Sequence, residues 1–165
     1  MASPLSGLFV LDFTTLLPGP MATLMLAEAG AEVVKIERPP IGDEMRTYRP
    51  LWGQEAVNFA LLNRGKKSLA LDLKNPRDRA ALDPLIARAD ILVEQFRPGV
   101  MARLGLDYET LAKINPRLIY CAITGYGQTG PKRDVAGHDL NYIGDAGLLS
   151  LSYGDPDRPV IPPAL

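Results

Sequence analysis

The chain has 165 residues, of which 47% are hydrophobic and 22% are charged, and these proportions are typical of a globular domain rather than a disordered or low-complexity chain. The 18 Lys and Arg residues nearly balance the 19 Asp and Glu residues, which argues against a general nucleic-acid-binding protein because such proteins carry a basic surplus. The single cysteine, Cys121, excludes an internal disulfide framework and fits a reducing cytoplasm.

The N-terminal part of the chain predicts a βαβ unit. Residues 8–11 are a short apolar run, typical of a buried strand, and a helix is predicted from Pro20 to Ala29 with Gly30 at the C′ position. A second strand is predicted over residues 32–37. Because a strand, a helix and a strand follow one another within about thirty residues, we expect the two strands to be parallel.

Residues 38–63 contain several Pro and Gly residues and little periodicity. They predict a long loop with one short helix over residues 55–62. A loop of that length in a compact domain is either functional or a sign that the element assignment is wrong. A third strand is predicted over residues 68–73. Asn75 and Pro76 then open a helix, which Pro84 should kink or shorten.

The second half of the chain continues the alternation of strands and helices. Strands are predicted over residues 91–94 and 118–123, with a short helix between them that Asp107 caps and that ends near residues 115–116. The run 140–151 is predicted to be helical, although its glycines weaken the pattern. With no internal repeat and no linker, the sequence predicts one α/β domain.

The sequence shows no targeting or membrane-spanning segment. Residues 1–4 lack the basic region of a signal peptide. The longest uncharged stretch near them, residues 13–27, has 15 residues and is interrupted by prolines, whereas a spanning helix needs about 20 mainly apolar residues. We therefore expect a soluble, cytoplasmic protein with no membrane partner.

Candidate binding residues follow the predicted strands, where ligands bind in open parallel sheets. The loop after the first strand lacks the G-x-G-x-x-G pattern, and no P-loop pattern occurs, which argues against a dinucleotide-dependent oxidoreductase. Arg38 and Arg97 each follow a strand directly, and Lys66 precedes another. Such side chains could hold a ligand with several phosphates. The alternative is that they are solvated loop charges.

The sequence Gly137-His138-Asp139 is the candidate catalytic site. His138 is the only histidine, and a histidine has an unperturbed pKa of about 6.5, suited to general acid–base chemistry. Asp139 could act as a carboxylate nucleophile or could simply cap the next helix. A lone histidine is also often structural, so local sequence alone leaves both interpretations open.

Taken together, these stretches occur in an order that resembles CoA-transferase family III, the CaiB/BaiF group, which includes the α-methylacyl-CoA racemases. The resemblance covers essentially the whole chain. It rests on residues 13–20, 33–39, 63–69, 71–74, 93–99, 124–131 and 137–139.

This resemblance implies a Rossmann-like fold, with a mostly parallel sheet flanked by helices. It also implies a CoA thioester as substrate, no prosthetic group, no metal, and an interlocked homodimer. By matching position, Arg38 and Arg97 would contact the phosphates or the adenosine of CoA, joined by Lys66 or a neighbour such as Asn63. The remaining residues that would line the CoA arm are Leu16, Leu17, Gly125, Tyr126 and Gly127.

The resemblance implies two alternative chemistries. In the transferases, the Asp of a Gly-aromatic-Asp motif attacks the acyl-CoA carbonyl, forms an anhydride and passes CoA to a carboxylic acid. Asp139 fits that position, and flanking N–H groups could stabilise the oxyanion. In the racemases, a His before this Asp removes the α-proton of a 2-methylacyl-CoA. His138 fits that position, and residues 137–142 and 158–163 look like the racemases, which favours that branch.

The sequence also departs from the racemase pattern. Racemases carry a second acid in a Gly-Asp-Phe-Gly-Gly motif that follows the proline-rich stretch, and the sequence ends before such a motif. Neither Asp145 nor Asp155 matches it. We therefore expect residues 1–165 to be the N-terminal, CoA-binding part of the family's large domain, truncated at its C-terminus. The alternatives are a catalytically inert CoA-binding fragment and a truncated product with no function of its own.

Overall fold

The computed structural model of this chain describes residues 3–151 and residue 157. The chain forms two compact units, one that extends to Ile123 and one that begins at Thr124. In the described part, no helix is long and apolar enough to cross a membrane.

The first unit is built on a five-stranded sheet in which every neighbouring pair of strands is parallel, in the order β5-β2-β1-β6-β7. A separate two-stranded antiparallel hairpin, β3-β4, lies within the long loop region. This is the α/β fold that the sequence predicts. The strands are β1 (Phe9–Asp12), β2 (Glu32–Glu37), β3 (Leu51–Trp52), β4 (Glu55–Ala56), β5 (Lys67–Ala70), β6 (Ile91–Glu94) and β7 (Ile119–Ala122).

Helices connect the strands, as parallel pairing requires. Short 3₁₀ helices span Glu44–Thr47 in the first unit and Leu148–Leu151 in the second. The α-helices are α1 (Pro18–Glu28), α2 (Val57–Asn63), α3 (Pro76–Ala80), α4 (Asp83–Ile86), α5 (Val100–Arg103), α6 (Tyr108–Ile114) and α7 (Asp139–Asp145).

The apolar side chains of the central strands alternate between the two faces of the sheet, because successive residues of a strand point in opposite directions. Leu11, Ile36 and Leu92 belong to the larger core, together with residues of α4 and α6. Val10 and Val33 belong to a smaller core on the other face. Both faces of β1 are therefore covered, which explains why its sequence is a continuous apolar run.

Most predicted elements are present within one or two residues, and the differences have local causes. Gly30 has a φ of 103° after the end of α1, as the C′ position requires. Pro84 lies in the first turn of α4, and the predicted helix is split into α3 and α4 before it. The hairpin β3-β4 was not predicted, and α2 begins at Val57, two residues later than predicted.

One prediction on helix ends is confirmed in position only, and another was wrong. Asp107 lies at the N-cap position of α6, but its side chain makes no capping hydrogen bond. The predicted helix over 140–151 is interrupted, since α7 ends at Asp145 and Gly147 takes a φ of 78°. A residue with that backbone conformation ends an α-helix.

Candidate functional site

The segment that joins β1 to α1 is held by buried side chains, beginning at Thr14. Asp12 accepts a hydrogen bond from the Thr14 N–H at 2.9 Å. Lys35, from the neighbouring strand β2, donates from Nζ to the Thr14 carbonyl at 2.7 Å. All three residues are buried. The chain therefore leaves the carboxyl end of β1 in a direction that side chains of β1 and β2 determine.

Further along the same segment, side chains distant in sequence bind the backbone. The Leu16 N–H donates to the Asp43 carboxylate at 3.1 Å. Gln95 donates from Nε2 to the Thr15 carbonyl at 2.7 Å and accepts from the Gly19 N–H at 3.2 Å. We call residues 14–17 the β1–α1 loop. Side chains from β1, from β2 and from the loops after β2 and β6 thus fix its backbone.

Leu16 has a φ of 61°, which is the left-handed backbone conformation that residues other than glycine rarely adopt. Such a conformation costs on the order of 1 kcal/mol or more and persists only where the surroundings impose it. Leu16 packs beside Met45 and Phe59, while the next residue, Leu17, is 55% exposed. The β1–α1 loop is therefore a strained segment that hydrogen bonds keep in its conformation, and it presents an accessible surface.

Two residues that the sequence assigned to CoA, Lys66 and Asn63, lie in a buried polar cluster against α1. The Lys66 ammonium lies 3.1 Å from Asp12 Oδ2, and it also donates to Thr23 Oγ1 and to Asn63 Oδ1. The Lys66 side chain is 1% exposed. Burial lowers the pKa of Lys66, although the neighbouring Asp12 acts in the opposite direction. The charge of Lys66 is thus engaged inside the protein.

Glu37, at the end of β2, is also engaged internally. Its carboxylate accepts hydrogen bonds from Arg46 Nε at 2.8 Å and from Arg46 Nη2 at 2.7 Å. Burial raises the pKa of Glu37, but hydrogen bonds from Arg46, from Ser68 and from the Asp43 N–H outweigh it and bring the pKa to about 2. The Arg46 guanidinium in turn lies 3.7 Å from the centre of the Phe59 ring. Glu37 is therefore occupied in anchoring the loop after β2.

Arg38 and Arg97 are placed differently from these internal charges. They follow β2 and β6, the two strands that flank β1, so they leave the same edge of the sheet on either side of the β1–α1 loop. Both are exposed. Within residues 3–151, neither guanidinium has an ion pair with an acidic side chain. Both are therefore placed to meet an anionic ligand.

The first turn of α1 cannot bind a phosphate in the way that dinucleotide-binding folds do, with free backbone N–H groups. Pro18 and Pro20 have no N–H, and the N–H of Gly19 already donates to Gln95. A side chain at Gly19 would overlap Thr14 and Gln95. A phosphate at the first turn of α1 would therefore have to be bound by side chains.

The second unit holds the predicted segment 125–127. The Tyr126 hydroxyl donates to the Asp145 carboxylate at 2.6 Å, and this hydrogen bond raises the pKa of Tyr126 to about 12. Lys132 pairs with the same carboxylate at 3.0 Å. A side chain at Gly125 would overlap the ring of Tyr142 in its present position. Gly127 has a φ of 87°, which favours glycine.

His138 and Asp139 begin α7 in the same unit, and both are exposed. His138 takes the N-cap position, and its backbone N–H donates to Asn141 Oδ1 at 2.9 Å. Asp139 is the first helical residue, so the alternative in which Asp139 caps the helix was wrong. Both side chains are accessible to a substrate.

Sequence reasoning missed three of the residues that shape the site, which are Asp12, Lys35 and Asp43. One signal could have identified Lys35: it interrupts the apolar run of β2, and a lysine buried in a sheet needs a carboxylate partner. Asp43 carries no comparable signal, because it lies in a loop where an aspartate is ordinary.

Comparisons with known proteins place these features in a family context. The family model of CoA-transferase family III matches residues 5–164. The acetyl-CoA:oxalate CoA-transferase of Acetobacter aceti is 47% identical over 156 residues, which cover 94% of this chain and 40% of that protein. The human succinyl-CoA:glutarate CoA-transferase is 44% identical over 160 residues, which cover 94% of this chain and 36% of that protein.

A racemase and a solved structure show similar agreement. The human alpha-methylacyl-CoA racemase is 42% identical over 158 residues, covering 96% of this chain and 38% of that protein. The crystal structure of a CaiB/BaiF family protein from Brucella suis superimposes with a TM-score of 0.89 at 41% identity, covering 96% of this chain and 43% of that one. The chain thus spans about two fifths of the length of the curated relatives it matches.

Proposed function

The chain belongs to CoA-transferase family III, an enzyme family, and from that premise we propose that it binds a CoA thioester at the carboxyl edge of its sheet. The observation that carries this proposal is the position of Arg38 and Arg97, exposed after β2 and β6 on either side of the β1–α1 loop. CoA carries a diphosphate and a 3′-phosphate, and guanidinium groups bind phosphates bidentately. Backbone at Leu16 and Leu17 would line the arm between them.

In this proposal residues 1–165 form the N-terminal, CoA-binding part of the Rossmann-like domain of the family, and the working enzyme is a homodimer. In the same proposal, Gly125, Tyr126 and Gly127 would contact the extended arm of CoA. Asn63 and Lys66 act from beneath α1, where Lys66 neutralises Asp12 and fixes the first turns of the helix. Their contribution to CoA binding is therefore indirect.

For the reaction, we propose α-proton abstraction from a 2-methylacyl-CoA by His138. A neutral imidazole nitrogen takes the α-proton, the electron pair passes to the thioester as an enolate, and a second acid returns a proton on the opposite face, which inverts the α-carbon. His138 is exposed at the start of α7, and its backbone is held by Asn141. The racemase at 42% identity supports this branch.

A second candidate is CoA transfer through Asp139. Here the Asp139 carboxylate attacks the thioester carbonyl, the C–S bond breaks, and CoA leaves as the thiolate while the acyl group remains as an anhydride with the enzyme. The relatives at 47% and 44% identity, both named as CoA-transferases, favour this alternative. It requires a carboxylic acid as acceptor.

CoA binding is tested by calorimetry with Arg38→Ala and Arg97→Ala. We expect each variant to bind CoA at least about tenfold more weakly, because a charge-assisted hydrogen bond to phosphate contributes roughly 1.5–3 kcal/mol. Arg117→Ala is the matched control: Arg117 is also exposed, but it lies before β7, at the amino edge of the sheet. Equal affinities for all three variants and the unmodified chain would contradict the proposed site.

The two chemistries are separated by one pair of variants in two assays. We expect His138→Ala to abolish α-proton exchange of a 2-methylacyl-CoA in deuterated water. Asp139→Ala should abolish CoA transfer between two carboxylates if the second candidate is correct. Asp134→Ala, which removes another exposed carboxylate of the same unit, is the control. Unchanged exchange in His138→Ala rules out His138 as the base, and full transfer in Asp139→Ala rules out Asp139 as the nucleophile.

A further inference from the structure

We propose that the buried Lys35–Asp43 ion pair is a positioning element of the CoA site, which sets the backbone shape of the β1–α1 loop and thereby the affinity for CoA. The inference rests on the proposed function, since it takes the backbone at Leu16 and Leu17 as part of the CoA site. Neither Lys35 nor Asp43 contacts the ligand in this proposal. Both act through the loop backbone.

The geometry shows how the pair acts on the loop. Lys35 Nζ lies 2.9 Å from Asp43 Oδ2 and donates to the Thr14 carbonyl at 2.7 Å. Asp43 Oδ1 accepts from the Leu16 N–H at 3.1 Å. The Thr14 carbonyl and the Leu16 N–H belong to the two peptide groups on either side of Thr15. One ion pair thus fixes two successive peptide planes.

The backbone conformation at Leu16 indicates why such fixing is needed. Its φ of 61° is one that a leucine would leave if its N–H were released. Asp43 is itself held, because its N–H donates to the Glu37 carboxylate at 3.0 Å and its Oδ1 accepts from the Met45 N–H at 3.0 Å. The carboxylate that holds Leu16 therefore cannot follow a relaxing loop.

Stability alone does not explain the presence of this pair. The side chains of Lys35 and Asp43 are 1% and 0% exposed, and burying two charges costs free energy that their attraction does not reliably exceed. Position 35 lies between Val34 and Ile36, both of which pack in the larger apolar core. An apolar pair would pack there without the desolvation cost, but it could not bind the Thr14 carbonyl or the Leu16 N–H.

The test compares affinity for CoA with stability in three forms of the chain: unmodified, Asp43→Asn, and the double variant Lys35→Met/Asp43→Asn. Asp43→Asn leaves Lys35 buried without a counter-charge, so we expect a lower urea midpoint and at least about tenfold weaker CoA binding by calorimetry. The double variant removes both charges, so its urea midpoint should return towards that of the unmodified chain. Its CoA affinity should remain at least about tenfold lower, because methionine at position 35 cannot donate to the Thr14 carbonyl.

A second variant covers the case in which Asp43→Asn does not fold. Asp43→Glu keeps both charges as a pair but lengthens the side chain by one methylene, which displaces the carboxylate from the Leu16 N–H. We expect it to fold and to bind CoA more weakly. The control is Lys67→Met/Glu32→Gln, which removes an ion pair of 2.6 Å whose side chains are 70% and 47% exposed; its CoA affinity should equal that of the unmodified chain.

The outcomes separate this inference from the proposed function. If the double variant and Asp43→Glu bind CoA as tightly as the unmodified chain, the ion pair has only a structural role and the inference is overturned, while the CoA site stands. If the unmodified chain does not bind CoA at all, the proposed function is overturned and the inference falls with it. Weak CoA binding by the double variant, together with a urea midpoint close to that of the unmodified chain, supports both the inference and the proposed function.

Discussion

Glu37 shows how a single buried carboxylate couples folding to pH. Its pKa of about 2 lies below the ordinary value of 4.5 because Arg46 and Ser68 hydrogen-bond its ionised form. A carboxylate whose pKa is depressed in the folded state stabilises the fold above the unfolded pKa, and this stabilisation is lost as the pH falls towards the folded pKa. The difference between the two pKa values corresponds to roughly 3 kcal/mol of folding stability.

We therefore expect the free energy of unfolding of the chain to fall between pH 5 and pH 2, with Glu37 supplying roughly 3 kcal/mol of the loss. In Glu37→Gln the amide cannot ionise, so this variant should be less stable at pH 7 and should lose less stability across the same interval. Urea titrations at several pH values measure both quantities. Glu44→Gln, at an exposed position, should lose as much stability as the unmodified chain over this pH range. If the free energy of unfolding depends on pH equally in all three proteins, the role of Glu37 is contradicted.

At the scale of elements, the strands were the most predictable part of the fold. The sequence places β1, β2, β6 and β7 within one or two residues of their observed bounds. Strands that are covered on both faces, such as β1 and β6, need apolar runs, and such runs can be recognised without any knowledge of their partners. The end of α1 was equally predictable from Gly30, because the left-handed position after a helix favours glycine.

The loop after β2 was not predictable in the same way. Its hairpin has strands of two residues each, Leu51–Trp52 and Glu55–Ala56, which are too short to show a period. Its anchors are pairings across the chain: Asp43 binds the Leu16 N–H across 27 positions, and Arg46 binds Glu37 across nine. No local pattern specifies which charges will meet at such distances.

The same limit applies to the candidate site. A basic residue next to a strand predicts an anion contact equally well for Arg38 and for Lys66. The structure separates them: Arg38 is exposed, whereas Lys66 is enclosed with Asp12, its partner 54 positions away. Sequence pattern predicts a ligand site at the carboxyl edge of the sheet, but the division of the basic residues into exposed and internal cations depends on tertiary contacts.

At the scale of the whole molecule, the strand order determines which parts of the sheet are protected. The first strand in sequence, β1, lies at the centre, and β7 pairs on one side only among the described residues. Ile119 begins β7 and is 62% exposed, although isoleucine is a residue that sheets usually bury. An apolar edge strand of this kind can pair with another chain.

We therefore expect the chain to associate with itself as its concentration rises, and we expect Ile119→Lys to reduce that association, since a charged side chain on an edge strand opposes strand-to-strand pairing. Sedimentation velocity over a range of concentrations measures the effect. Ile114→Lys is the matched control, because Ile114 is also exposed, at 43%, but ends helix α6 and offers no backbone edge. If both variants reduce self-association equally, surface charge and not the edge of β7 is responsible, whereas an effect confined to Ile119→Lys assigns the association to that strand.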